Sequence, residues 1–137
     1  MSYKSKFTER YKIGKESEIK VLEIIRNYFK TDIKASINQL ERFDFFDDNN
    51  KFELKTRTNN LNTYPTTLIG FDKLQSDIIL LFQFTDQLAY IKYDVEQFKN
   101  YEVKKFTKYK IPKDRIYIPV KDLTIIEIQN INDLKIN

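Results

Sequence analysis

Apolar positions along this chain change their period several times, and each change marks an element. From Gly14 to Phe29, Val21, Leu22, Ile25, Tyr28 and Phe29 recur at helical spacing on one face. The preceding stretch, Tyr3 to Tyr11, reads as a polar lead-in. Glu18 falls inside the apolar stripe, three residues before Val21 and four before Leu22, while Glu16, Lys20 and Glu23 point elsewhere. A carboxylate in a core-facing stripe is costly unless something satisfies it. Either Glu18 pairs with a buried lysine or arginine, or it faces a functional site.

Period two then takes over. Asp32 to Ile37 reads as a first strand and Asn38 to Glu41 as a connection. Arg42 to Arg57 reads as a hairpin: Phe43 to Phe46, a turn cluster Asp47-Asp48-Asn49-Asn50, and a second alternating run from Lys51. Thr58 to Pro65 is polar without periodicity, and Thr66 to Gln75 is expected to form a short helix. Ile78 to Phe84 is almost continuously apolar, as a buried central strand would be. Thr85-Asp86-Gln87 turns into a strand from Leu88 to Tyr93, and Asp94 caps a short helix through Tyr101. Late strands cover Ile116 to Pro119 and Leu123 to Ile128, on either side of a Pro119-Val120-Lys121-Asp122 turn. The order helix, three strands, helix, strand predicts one α/β domain over residues 1–137, a sheet with helices packed on it.

The hairpin carries the candidate chemistry. With a four-residue loop, Phe46 faces Lys51, Phe45 faces Phe52, and Asp44 faces Glu53. Opposed side chains in an antiparallel pair sit about 5 Å apart. Alternation puts Lys55 on the face of Glu53 and Asp44. Two carboxylates and an ammonium thus converge. Opposed acids repel, and a cation stabilises them. Hard oxygen ligands suit Mg²⁺ or Mn²⁺.

Composition excludes the main alternatives. The chain has no histidine and no cysteine, so Ser-His-Asp and Cys-His catalysis and the usual zinc sites cannot be built. Two glycines, Gly14 and Gly70, are too few for a P-loop or a dinucleotide fingerprint. Met1 to Lys15 is polar and charged rather than signal-like, and Ile78 to Phe82 is too short to cross a membrane. A cytoplasmic, intracellular protein without membrane partners is expected.

Net charge is only +4, but it is uneven. Between Phe98 and Arg115 stand seven basic residues against two acids, so the remainder is slightly acidic. Lys104, Lys105, Lys108 and Lys110 are interleaved with Phe98, Tyr101, Phe106 and Tyr109. Such a segment can bind phosphates and stack on bases, or it can be a solvated lysine-rich surface.

An upstream Glu, then Asp, then Glu-x-Lys on a hairpin resembles the motif order of the PD-(D/E)XK nucleases, with Glu18, Asp44, Glu53 and Lys55 as the matching residues. Gly14-Lys15-Glu16-Ser17-Glu18 is also similar to the Gly-x-x-x-Glu helix start of archaeal Holliday-junction resolvases. The likeness covers about residues 12–84. Residue 43 is Phe where the motif's name has Pro, and the gap from Asp44 to Glu53 is short. The resemblance implies a restriction-endonuclease-like fold, a central mixed β-sheet flanked by helices. It implies a Mg²⁺-dependent endonuclease hydrolysing phosphodiester bonds in DNA. Asp44, Glu53 and the Leu54 carbonyl would hold the metal, and Lys55 would orient the attacking water or stabilise phosphate charge. Glu18 would hold a metal-bound water or help a second ion. Lys73 and Gln75, on the helix after Glu-x-Lys, would approach the phosphate.

Arg57 alternates onto the face of Lys55, as a phosphate clamp or a surface ion pair. A different class stays open: a non-catalytic nucleic-acid-binding or interaction module on a nuclease-like fold. Three carboxylates near backbone phosphates would work against such a binder. Substrate form is left open, and so is a homodimer.

Overall fold

The computed structural model describes residues 3–37, 42–106 and 113–128. Helix α1 is longer than its apolar stripe predicts. It begins at Tyr3 and runs through Gly14 to Phe29. A mid-helix glycine costs only about 1 kcal/mol relative to alanine, which a long helix free of proline absorbs. Lys30, with φ at 57°, ends it in the left-handed region while its N–H donates to the Arg26 carbonyl at 2.9 Å.

Among the described residues, nine strands follow in two sheets. They are β1 (Lys34–Ala35), β2 (Phe45–Phe46), β3 (Lys51–Thr56), β4 (Thr66–Gly70), β5 (Ile78–Gln83), β6 (Leu88–Lys92), β7 (Val103–Phe106), β8 (Lys113–Pro119) and β9 (Thr124–Ile126). The larger sheet is mixed, ordered β1-β2-β3-β5-β6-β9, with β3 and β5 parallel and the other neighbours antiparallel. The hairpin register is the one the alternation predicts: Phe45 opposes Phe52 and Phe46 opposes Lys51. Strand β5 is buried at every position, which explains its unbroken apolar run. A short helix α2, Val95–Phe98, is capped by Asp94, whose carboxylate accepts the N–H groups of Glu96 and Gln97.

Two apolar cores lie on opposite faces of the mixed sheet. Val21 and Ile25 of α1 pack with Phe45, Phe52, Ile79 and Leu81 on one face. On the other, Ile78, Leu80 and Phe82 pack with Ile69, Ile116 and Ile118 of the second sheet, ordered β4-β8-β7. The layers are therefore helix, mixed sheet, small antiparallel sheet. The α/β class and the mixed central sheet hold, but on the second face the described residues place the small sheet and only the single turn of α2, whose Phe98 joins that core.

This follows from one local correction. Thr66 to Gln75 is not a helix: it is strand β4 followed by a single 3₁₀ turn, Phe71–Lys73. Thr66, Thr67 and Ile69 are β-branched, and β8 supplies a partner register from Thr66 opposite Pro119 to Gly70 opposite Arg115. Thr67 and Ile69 alternate into the core, which period two permits and a helix would not. Parallel strands need a crossover, usually helical. Here the link from β3 to β5 runs through a strand of the other sheet. Similarly, residues 103–106 and 113–115, left without secondary structure by the sequence reading, pair as β7 and the start of β8.

Candidate active site

Strand β3 divides its side chains between the two layers. Phe52 and Leu54 turn toward α1, with the Phe52 ring 5.5 Å from that of Phe29. Glu53 and Lys55 turn to the opposite side, where Lys73 comes in from the turn after β4. Glu53 is 5% exposed. Its Oε1 lies 3.4 Å from the Lys55 ammonium and 3.4 Å from that of Lys73. Burial pushes the Glu53 carboxyl above its ordinary range, the nearby Asp44 charge adds to this, and the two lysines partly offset it.

Asp44 sits where the β2–β3 ladder gives way. Its N–H donates to the Phe52 carbonyl at 2.8 Å, and its Oδ2 accepts the Leu54 N–H at 2.8 Å. The side chain thus replaces a backbone acceptor and is fixed beside Glu53. At the other end of the hairpin, Asp47 Oδ1 accepts the Asn49 and Asn50 N–H groups at 2.9 and 2.7 Å. Burial works against ionisation there, but these amides and the Thr31 hydroxyl outweigh it and hold the carboxyl below its usual value. This Asx turn sets the four-residue loop on which the register depends.

The remaining expected site residues separate. Glu18 is half-buried on α1. Helix α1 packs its Val21 and Ile25 on the Phe52 face of the mixed sheet, whereas Glu53 turns to the other face. Gln75 accepts from Lys51 Nζ and donates to the Arg42 carbonyl, both at 3.3 Å, which latches the base of the hairpin. Lys73 and Gln75 therefore follow a strand and a turn, not a helix, and only Lys73 reaches Glu53.

Arg57 is neither a surface ion pair nor a dangling clamp. Its Nε donates to Thr67 Oγ1 at 3.1 Å, another guanidinium N–H donates to the Leu68 carbonyl, and the group lies 5.5 Å from the Phe82 ring centre. Burial, together with the Arg115 charge, lowers its pKa. Arg57 stitches the end of β3 to the edge of β4.

A cleft of about 850 Å³ opens along that edge. Lys55, Arg57, Lys73 and Arg115 line it, with Tyr64 and Tyr117. Asp72 lines it too. A Cβ built on Gly70 would lie 2.5 Å from Asp72 Oδ1 and 2.8 Å from Arg115 Nη1, so glycine there leaves room for both groups to converge. The buried acid pair adjoins this cationic wall through Lys55 and Lys73.

Of the basic segment, Lys104 and Lys105 lie exposed on β7, Lys104 opposite Arg115. Lys104 Nζ is 3.6 Å from Glu102 and 5.2 Å from the Tyr117 ring centre. Lys108 and Lys110 lie outside the described residues.

No family model, curated protein or solved structure matches the chain. The functional reading therefore rests on the residues and their placement. Arg115 and Tyr117 were not legible as site residues, although alternation in Arg115-Ile116-Tyr117-Ile118 puts both on one strand face. That this face reaches the cleft depends on the pairing of β8 with β4.

Proposed function

We propose that this chain is a metal-dependent nuclease, an endonuclease acting on DNA, with its centre at Asp44, Glu53, Lys55 and Lys73. One observation carries the reading: a buried carboxylate beside a second acid, contacted by two ammonium groups at the wall of a cationic cleft. Burying an acid whose ionisation is disfavoured is costly, and a carboxylate near bound phosphates repels them, so its retention there favours a chemical role.

The donor set fits Mg²⁺ or Mn²⁺. Glu53 is held in a state that a nearby positive charge relieves, and Asp44 is fixed beside it by the Leu54 amide. Asp44 and Glu53 would hold the ion. A divalent cation there supplies Lewis-acid polarisation of a phosphoryl oxygen and acidifies a bound water. Lys55, tethered to Glu53, presents an ammonium where negative charge builds on the phosphate during attack. Lys73 supplies a second cation at the same carboxylate oxygen. Arg57 acts indirectly, by fixing β4 and hence the turn that carries Lys73. The reading does not require Glu18.

Incubation with plasmid and oligonucleotide DNA in Mg²⁺, Mn²⁺ or EDTA tests it. Cleavage is expected with either metal and not in EDTA, and Lys55→Ala is expected to abolish it while the protein stays folded. Wild-type cleavage by that variant would place the chemistry elsewhere.

A second reading has its own observation. Lys55 and Lys73 already compensate Glu53, as a structural ion cluster supporting a nucleic-acid-binding surface would require. Under it, the protein binds DNA through the cleft and never cuts, whatever metal is supplied.

A further inference from the structure

The aromatic residues of the cleft bear on the form of its substrate. Tyr64 is 60% exposed beside Pro65, at the entry to β4. Tyr117 lies opposite Leu68 on β8, with the Lys104 ammonium near its ring. Both tyrosines line the same cleft as Lys55, Lys73 and Arg115. Neither tyrosine belongs to the apolar cores: Tyr64 stands exposed, and Tyr117 is half-buried.

An intact duplex offers a protein its phosphates and the edges of its bases, while the base faces are covered by their neighbours. Aromatic side chains in a phosphate-binding cleft gain from nucleic acid mainly when bases are unpaired and can stack on them. Cations along the wall track a backbone, and tyrosines between them take bases of any identity. The Lys104 ammonium lies over the Tyr117 ring, so a base stacking on that face would displace it from the ring while keeping it near the strand's phosphates.

We propose that the cleft along β4 takes an unpaired nucleic-acid strand, its bases stacking on Tyr64 and Tyr117 and its phosphates on Lys55, Lys73 and Arg115, in preference to an intact duplex. The unpaired stretch could belong to a free strand, a flap or a loop, since all present the same base faces. The strand would lead toward Asp44 and Glu53; in that respect the proposal rests on the nuclease reading above.

Binding measured without turnover separates the two. Fluorescence anisotropy in EDTA compares a labelled oligo-dT strand with a duplex of similar charge, at one salt concentration. The strand is expected to bind at least roughly tenfold more tightly, as loss or gain of one stacked base implies. Tyr64→Ala is expected to weaken strand binding by roughly tenfold and to leave duplex binding unchanged, and Tyr64→Phe to restore it. Tyr117→Leu should act in the same direction. Equal or tighter duplex binding would overturn the proposal, as would a Tyr64→Ala loss shared equally by strand and duplex. A protein that prefers the strand but never cuts would refute the nuclease alone. One that cuts but prefers duplex would refute this proposal alone.

Discussion

The two faces of the mixed sheet are built from the same strands and obey different rules. Toward α1 the buried contributors run from Val21 and Ile25 to Phe52 and Leu81 and are apolar apart from the small Ser17 hydroxyl on the helix itself. Toward the small sheet, the apolar core of Leu80, Phe82 and Ile116 is bordered by Glu53, Lys55, Arg57 and Lys73. Strand β3 contributes to both at alternate residues. Against the helix no charged side chain is buried among the described residues. The small sheet ends at β4, and that free edge gives charged groups both a backbone to bond and a route to solvent. Chemistry therefore collects at the margin of a core rather than in its middle.

The sharpest contrast is within β3. Phe52→Ala should destabilise the fold by about 3–5 kcal/mol, since it removes a fully buried ring from the α1 core. Chemical denaturation would measure it, and a loss below about 1 kcal/mol would mean that the two faces are less distinct than described.

Arg57→Ala should cost about 1–3 kcal/mol, because the Leu68 carbonyl and the Thr67 hydroxyl lose their partner at the β3–β4 junction. A variant that keeps full stability but loses only DNA affinity would turn Arg57 from a stitch into a phosphate ligand.

Glu53→Gln should go the other way and raise the melting temperature near neutral pH. Folded Glu53 holds its proton to a higher pH than the unfolded chain does. Between those two values the native state binds more protons, so stability falls as pH rises and returns on acidification. The glutamine variant should lack that slope while also lacking cleavage. Melts across the weakly acidic range read both, and identical slopes would remove the burial argument.

The smallest effect concerns Tyr101, far from the hairpin. Its hydroxyl donates to Asp122 at 2.7 Å, and burial and then that carboxylate push its pKa up to about 12. Stability from this pair is complete below the ordinary phenol value near 10 and is lost as pH rises through about 12. Tyr101→Phe should cost about 1 kcal/mol or less, because the pair is partly solvated. Alkaline titration of the melting temperature would compare it with wild type.

The sequence made the hairpin legible because everything that defines it is local. Alternation, a four-residue turn cluster and the Asp47 side chain set Phe45 against Phe52 within ten residues. Ile78 to Gln83 was equally plain, since complete burial needs an unbroken apolar run. What escaped depended on distant partners. Thr66 to Gly70 becomes a strand because β8 is there to pair with it, and nothing near residue 66 announces residue 119. The same blindness hid Lys73 as the second cation at Glu53, and Arg115 and Tyr117 as its neighbours. For Glu18 the helical wheel gives a position along α1's apolar stripe, but it does not say which side of the sheet that stripe will cover.

The pairing of β4 with β8 also sets when the cleft can be completed during synthesis. Thr66 finds its partner only at Pro119, and Gly70 only at Arg115. Until that stretch has left the ribosome, β4 has no ladder and the turn bearing Lys73 has no anchor, although the Asp44–Glu53 hairpin can already form. Long-range pairing of this kind comes late in folding. The acid pair is thus assembled early and its cationic wall late, so a nascent chain surrounded by ribosomal and messenger RNA carries the carboxylates without the cleft that would bring a phosphate to them.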